Sequence, residues 1–113
     1  MNKILIATAS KKDKEIFEEA LLEIVDRGGE LLFTDKKKEI TEILKKETPV
    51  LAFVDSEWAA ESLENHKTQI IWLVEKNETK KGNFLTKPLS KEAITEKCAQ
   101  IFPIWEEAKP FPM

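Results

Sequence analysis

A single cysteine, Cys98, excludes an internal disulfide, and with one histidine, His66, the chain has no Cys and His pairs at zinc-ligand spacing. Cytosolic residence is the default for such a chain. No glycine-rich phosphate loop or dinucleotide fingerprint occurs. The opening stretch, MNKILIATASKKDKE, holds only a short apolar run that stops at Ser10, too short for a membrane span and unlike a signal peptide. A net charge of -3 gives no general attraction to nucleic acid or to an anionic membrane. Internal repeats and low-complexity linkers are absent as well. What is present suits one compact soluble domain: 113 residues, 42% of them apolar and 35% charged, which is too apolar for a disordered chain.

Four short runs are dense in apolar residues: Ile4 to Ala7, Leu31 to Phe33, Val50 to Val54 and Ile70 to Val74, with a weaker fifth at Phe84 to Leu85. Near-continuous runs of this length predict strands buried on both faces of a parallel sheet. Between them the spacing becomes helical. Ile16, Phe17, Ala20, Leu21, Ile24 and Val25 mark a first helix, with a capping box from Ser10 and Asp13 at its start and Gly28 and Gly29 at its end. Ile40, Ile43 and Leu44 mark a second, begun by Asp35 and stopped by Thr48 and Pro49. Trp58, Ala59, Ser62 and Leu63 give a weaker third. The last starts at Ser90, turns Ala93, Ile94, Cys98, Ile101 and Phe102 inward, and stops at Pro103.

Strand and helix alternate, so the expected fold class is α/β, a doubly wound five-stranded parallel sheet with helices on both faces. One unit breaks the rhythm. The stretch EKNETKKGN between Val74 and Phe84 has no apolar stripe and is short for a helical crossover, so the fourth helix is shortened or missing. The domain is expected over residues 1–103, with 104–113 as a proline-rich C-terminal tail.

Binding groups in an open parallel sheet gather at the carboxyl ends of the strands, here Thr8 to Ser10, Asp55 to Glu57, Val74 to Lys76, and Lys87 with Pro88. On PVLAFVDSEW, ending a strand in Asp55, and FLTKPLSKEA, ending a strand in Lys87 and Pro88, the chain resembles the receiver domain of two-component response regulators in its CheY-like form. The resemblance covers Lys3 to about Phe102. It implies a flavodoxin-like sheet, a phosphoacceptor position at Asp55, and a lysine at Lys87 joined to Pro88 through a cis peptide. Two departures accompany it. The acidic pair with which receivers hold magnesium is replaced by Thr8 and Ala9, and the Ser or Thr that contacts the phosphoryl group is replaced by Val74. Magnesium depends on carboxylate oxygens, and without it phosphoryl transfer loses its main charge stabiliser.

Resemblance and departures together imply a degenerate, pseudo-receiver module: non-enzymatic, without cofactor or metal, acting in the cytoplasm by protein–protein interaction. Its expected partners are another signalling protein, a histidine kinase among them, or a second copy in a homodimer, with no nucleic acid and no membrane. Asp55 then has the structural task of pairing with Lys87 and capping the helix after it, with Thr8, Ser10 and Pro88 completing the pocket. Two alternatives stay open: a working receiver phosphorylated on Asp55, and a small-anion or nucleotide sensor on a basic rim formed by Lys11, Lys12, Lys36 to Lys38, Lys80, Lys81 and Lys87. His66 reads as a surface residue and Cys98 as core. Trp72 reads as core first; with Phe84 and Trp105 it is also a candidate interface residue, because the missing helix uncovers one face of the last two strands.

Overall fold

A computed structural model of the chain describes residues 3–46, 48–64, 66–78 and 82–101. The strands are β1 (Lys3–Ala7), β2 (Glu30–Thr34), β3 (Leu51–Val54), β4 (Gln69–Val74) and β5 (Asn83–Thr86). They form one parallel sheet in the order β2-β1-β3-β4-β5. The helices are α1 (Lys11–Ala20), α2 (Leu22–Asp26), α3 (Lys37–Lys46), α4 (Glu57–Leu63) and α5 (Lys91–Ile101). The expected doubly wound five-stranded architecture is therefore the observed one. No helix among the described residues is long and apolar enough to cross a membrane.

Alternation along each strand divides the core into two layers. Ile4 and Ile6 join Phe17, Phe53, Ile71 and Ile94 on the α1 and α5 side. Leu5 and Ala7 join Ile40, Ala52, Val54 and Leu63 on the α3 and α4 side. All four β3 residues are 0% exposed, as a central strand covered on both faces requires. The rings of Phe17 and Phe53 lie 4.6 Å apart and tilted by 51°, a geometry that suits the ring quadrupoles.

The expected first helix is two helices. The chain breaks at Leu21 (φ -107, ψ 16), which is 3% exposed. The break keeps Leu21 in the core and lets Ile24 pack against it, leaving Leu22 and Val25 outside. α2 then closes as the glycines foretell. The Gly28 N–H donates to the Val25 carbonyl at 3.0 Å and the Gly29 N–H to the Ile24 carbonyl at 2.9 Å, with Gly28 at φ 91, a conformation open to glycine at little cost. At the other end of the chain Ser90 caps α5, accepting from the Ala93 N–H at 3.1 Å.

Between β4 and β5 a turn replaces a helix among the described residues of the connection. The Glu78 N–H donates to the Glu75 carbonyl at 3.0 Å, and the Glu78 carboxylate accepts from the Glu75 N–H at 2.9 Å. The ladder continues past the strands, with the Lys87 N–H donating to the Val74 carbonyl at 2.8 Å. Trp72 and Phe84 are neighbours in register on the α4 side and both are half-buried. Trp72 packs against the core there. Trp105 and the tail lie outside the described residues.

Cys98 is 2% exposed, and burial pushes its thiol from 9.0 up to about 12. The thiolate is the reactive form, so iodoacetamide at pH 8 should modify the native protein at least about a hundredfold more slowly than the urea-unfolded chain. The raised thiol also binds its proton more tightly in the folded state. The stability it contributes is complete below pH 9 and declines as pH rises toward 12, which denaturation midpoints measured at pH 8 and pH 10.5 should register as a fall.

Candidate functional site at the carboxyl ends of the strands

The parallel register sets Ala7 beside Val54, so the residues that follow, Thr8 and Asp55, leave the sheet side by side. Thr8 is 1% exposed and its hydroxyl donates to Asp55 Oδ2 at 2.7 Å. Thr8 Oγ1 in turn accepts the Ser10 N–H at 3.2 Å. Both hydrogen-bonding directions of this buried hydroxyl are therefore used, as burial demands. Asp55 itself is exposed.

Ser10 is the N-cap of α1 and accepts the Asp13 N–H at 3.2 Å. The other half of the expected capping box does not form, since the Ser10 N–H is taken by Thr8. The Asp13 carboxylate turns instead to Lys87, with Oδ2 at 3.2 Å from Nζ. Glu75 approaches the same ammonium at 3.8 Å. Lys87 precedes Pro88 through a cis peptide bond, as the resemblance implies.

Two expectations for Asp55 are thus corrected. Asp13 and Glu75, not Asp55, are the carboxylates within ion-pair distance of Lys87 among the described residues. Asp13, on the first turn of α1 and only 7% exposed, needs a cation more than the exposed Asp55 does, because a desolvated carboxylate without a partner is costly. Nor does Asp55 cap α4. The N-cap is Ser56, which makes no side-chain capping bond, and its buried Oγ lacks a hydrogen-bond partner among the described residues. Asp13 is the site residue that sequence reasoning placed only as a helix cap. Its spacing from Ser10 marked the first turn, but nothing local pointed the carboxylate across to β5.

The residues do not fit a magnesium ion. At the end of β1 the Thr8 hydroxyl is committed to Asp55, Ala9 offers no side-chain oxygen, and the nearby Asp13 is committed to Lys87. A hard dication wants several oxygens with carboxylates among them, and no three Asp, Glu, His or Cys side chains converge among the described residues. The β4 end offers Val74, 2% exposed and without a hydroxyl. The lysine rim is open to solvent at Lys11, Lys12 and Lys36 to Lys38, whereas Lys87 faces two carboxylates. Lys80 and Lys81 lie outside the described residues. His66 is exposed between α4 and β4, as expected.

A double-mutant cycle separates the two arrangements of Lys87. Asp13→Asn and Lys87→Met should show a coupling of about 1 kcal/mol or more in urea denaturation, whereas Asp55→Asn and Lys87→Met should add to within about 0.5 kcal/mol.

Comparison with known proteins places this geometry in a fold. No family model matches the chain, and no curated protein matches it in sequence. Among solved structures, the receiver domain of the TMAO respiratory system response regulator TorR superposes with a TM-score of 0.72 at 13% identity, over 94% of this chain and 98% of that one. A CheY-like response regulator receiver domain protein from Methanospirillum hungatei JF-1 gives 0.69 at 17% identity, over 94% and 98%. A chain in the crystal structure of histidine kinase ThkA in complex with response regulator protein TrrA gives 0.66 at 18% identity, over 90% and 99%. The chain has the fold of the response-regulator receiver domains.

Proposed function

We propose that the chain is a receiver-like module of signal transduction that works by binding another signalling protein, without magnesium-dependent phosphorylation of Asp55. The observation that carries this reading is the Thr8 to Asp55 hydrogen bond of 2.7 Å. It places a neutral hydroxyl where the resemblance to receivers implies an acidic metal ligand. Pairing of Lys87 with Asp13 at 3.2 Å supports it further, since the cation that would approach a phosphoryl group is engaged elsewhere. No enzymatic step is assigned to the chain. The partner class is a signalling protein such as a histidine kinase, the kind of protein that accompanies TrrA in its crystal structure, and the module acts in the cytoplasm.

Exposure of Asp55 favours a second reading, a working receiver that accepts phosphate there. The anion-sensor reading has less support, because Glu75 and Asp13 both face its central cation.

One NMR titration discriminates among them. Amides near Asp55 should stay unmoved up to about 10 mM magnesium, with or without beryllofluoride, and acetyl phosphate should leave the protein unlabelled. Hydroxylamine-sensitive labelling lost in Asp55→Asn would establish the second reading, and shifts at Lys87 with phosphate alone would establish the third. Introducing the missing carboxylates by Thr8→Asp and Ala9→Asp should confer magnesium-dependent amide shifts at Asp55 that the natural chain lacks.

A further inference from the structure

The two edges of the sheet are unequally protected. β5 is four residues long and is followed at once by Lys87 and Pro88, features that discourage pairing with another chain. β2 has five residues, none of them lysine or proline, and its Leu31, Leu32 and Phe33 are all half-buried. An open groove of about 650 Å³ runs along this strand and α3, lined by Leu31, Leu32, Phe33 and Ile43 together with Lys36 and Lys38. Glu39 and Glu42 also line it. Glu39 accepts the Thr34 hydroxyl, and Glu42 pairs with Lys45 at 3.4 Å.

On the other face of the same edge, Leu22 is 56% exposed and Val25 42%, the large hydrophobic side chains that stand out among the described residues. They sit in EIFEEALLEIVD, residues 15–26, which carries Glu15, Glu18, Glu19, Glu23 and Asp26 and no cation. Asp26 stands one turn after Leu22 within α2, Glu15, Glu18 and Glu19 lie in the last turns of α1 before the break at Leu21, and all are exposed. Without these five carboxylates the net charge of -3 would become +2. Arg27 meets Glu23 at 2.5 Å, but the helix dipole does not account for the rest. Neither α1 nor α2 has a basic residue in its last turn, and carboxylates at a helix C-terminus oppose the macrodipole. α3, in contrast, ends in Lys45 and Lys46.

We propose that the chain self-associates along β2, with the acid-rimmed Leu22 and Val25 of one copy seated in the groove of the other against Leu32 and Ile43, which share the α3 face. Lys45 and Lys46 then face the carboxylates. The topology makes the contact reciprocal. α2 and α3 flank β2 on opposite faces of the sheet, and α2 and the C-terminal end of α3 both lie at the level where the strands begin. A two-fold axis parallel to β2 exchanges the faces and keeps the level, so each copy's α2 meets the other's α3 and the assembly closes as a dimer. Attraction of Lys45 and Lys46 for the carboxylates favours this register over ones that set the carboxylates against Glu39 and Glu42. The groove reaches Lys36 and Lys38 at the carboxyl ends, but the contact between α2 and the C-terminal end of α3 lies where the strands begin, away from Asp55, so the inference stands independently of the function proposed above.

Sedimentation equilibrium on the full chain tests it, with charge reversal on either side of the contact. Wild type should dimerise, with a dissociation constant at least about tenfold weaker in 0.5 M salt than in 0.05 M. Glu18→Lys with Glu19→Lys, and separately Lys45→Glu with Lys46→Glu, should each weaken it by about tenfold or more. An equimolar mixture of the two variants should recover wild-type affinity to within about threefold, because both contacts in the mixed dimer again oppose unlike charges. Leu22→Ser with Val25→Ser removes only exposed side chains and should abolish the dimer with thermal stability unchanged. A protein monomeric up to about 1 mM, a dimer indifferent to these changes, or a mixture that fails to recover overturns the proposal.

Discussion

The parallel pairing of β1 with β3 is the constraint on which the molecule depends. Both strands are buried on both faces, and Ile4 to Ala7 lie opposite Leu51 to Val54 one for one. A slip of one residue between them would turn one strand over, sending Ile6 to the side that Leu5 occupies while Phe53 kept its own. The same register decides the site. Because Ala7 and Val54 are level, Thr8 and Asp55 emerge together, and a hydroxyl meets a carboxylate at 2.7 Å.

Around that pair the polar groups close into two separate sets. Thr8 links Asp55 to the Ser10 backbone, and Asp13 with Glu75 holds Lys87. Burial explains the division. Asp13 is nearly inaccessible and Asp55 is exposed, so the ammonium does more for the former, where water is not available to compensate the charge. A receiver fold with this partnering keeps its geometry at the strand ends while its cation and its exposed carboxylate answer to different neighbours.

The sheet edges obey a different logic. A short strand followed by lysine and proline needs no cover, whereas β2 offers backbone groups and half-buried apolar side chains together. The break at Leu21 sharpens this contrast. It turns Ile24 to the core and leaves Leu22 and Val25 in a field of carboxylates beside that edge.

The sequence by itself determined the strands, their alternation with helices, the glycine stop after Asp26, the turn that stands in place of a helix among the described residues between β4 and β5, and the substitutions at Thr8, Ala9 and Val74. These are legible because burial along one segment writes its own period, and because an absent carboxylate is absent in any conformation. Only the tertiary structure decided that Lys87 takes Asp13 and Glu75 over Asp55, that Ser56 and not Asp55 begins α4, and that Leu31 to Phe33, an apolar run that reads as a strand covered on both faces, is a half-exposed edge. Such outcomes depend on how one element is rotated against another and on strand order, and a periodicity confined to a single segment carries neither.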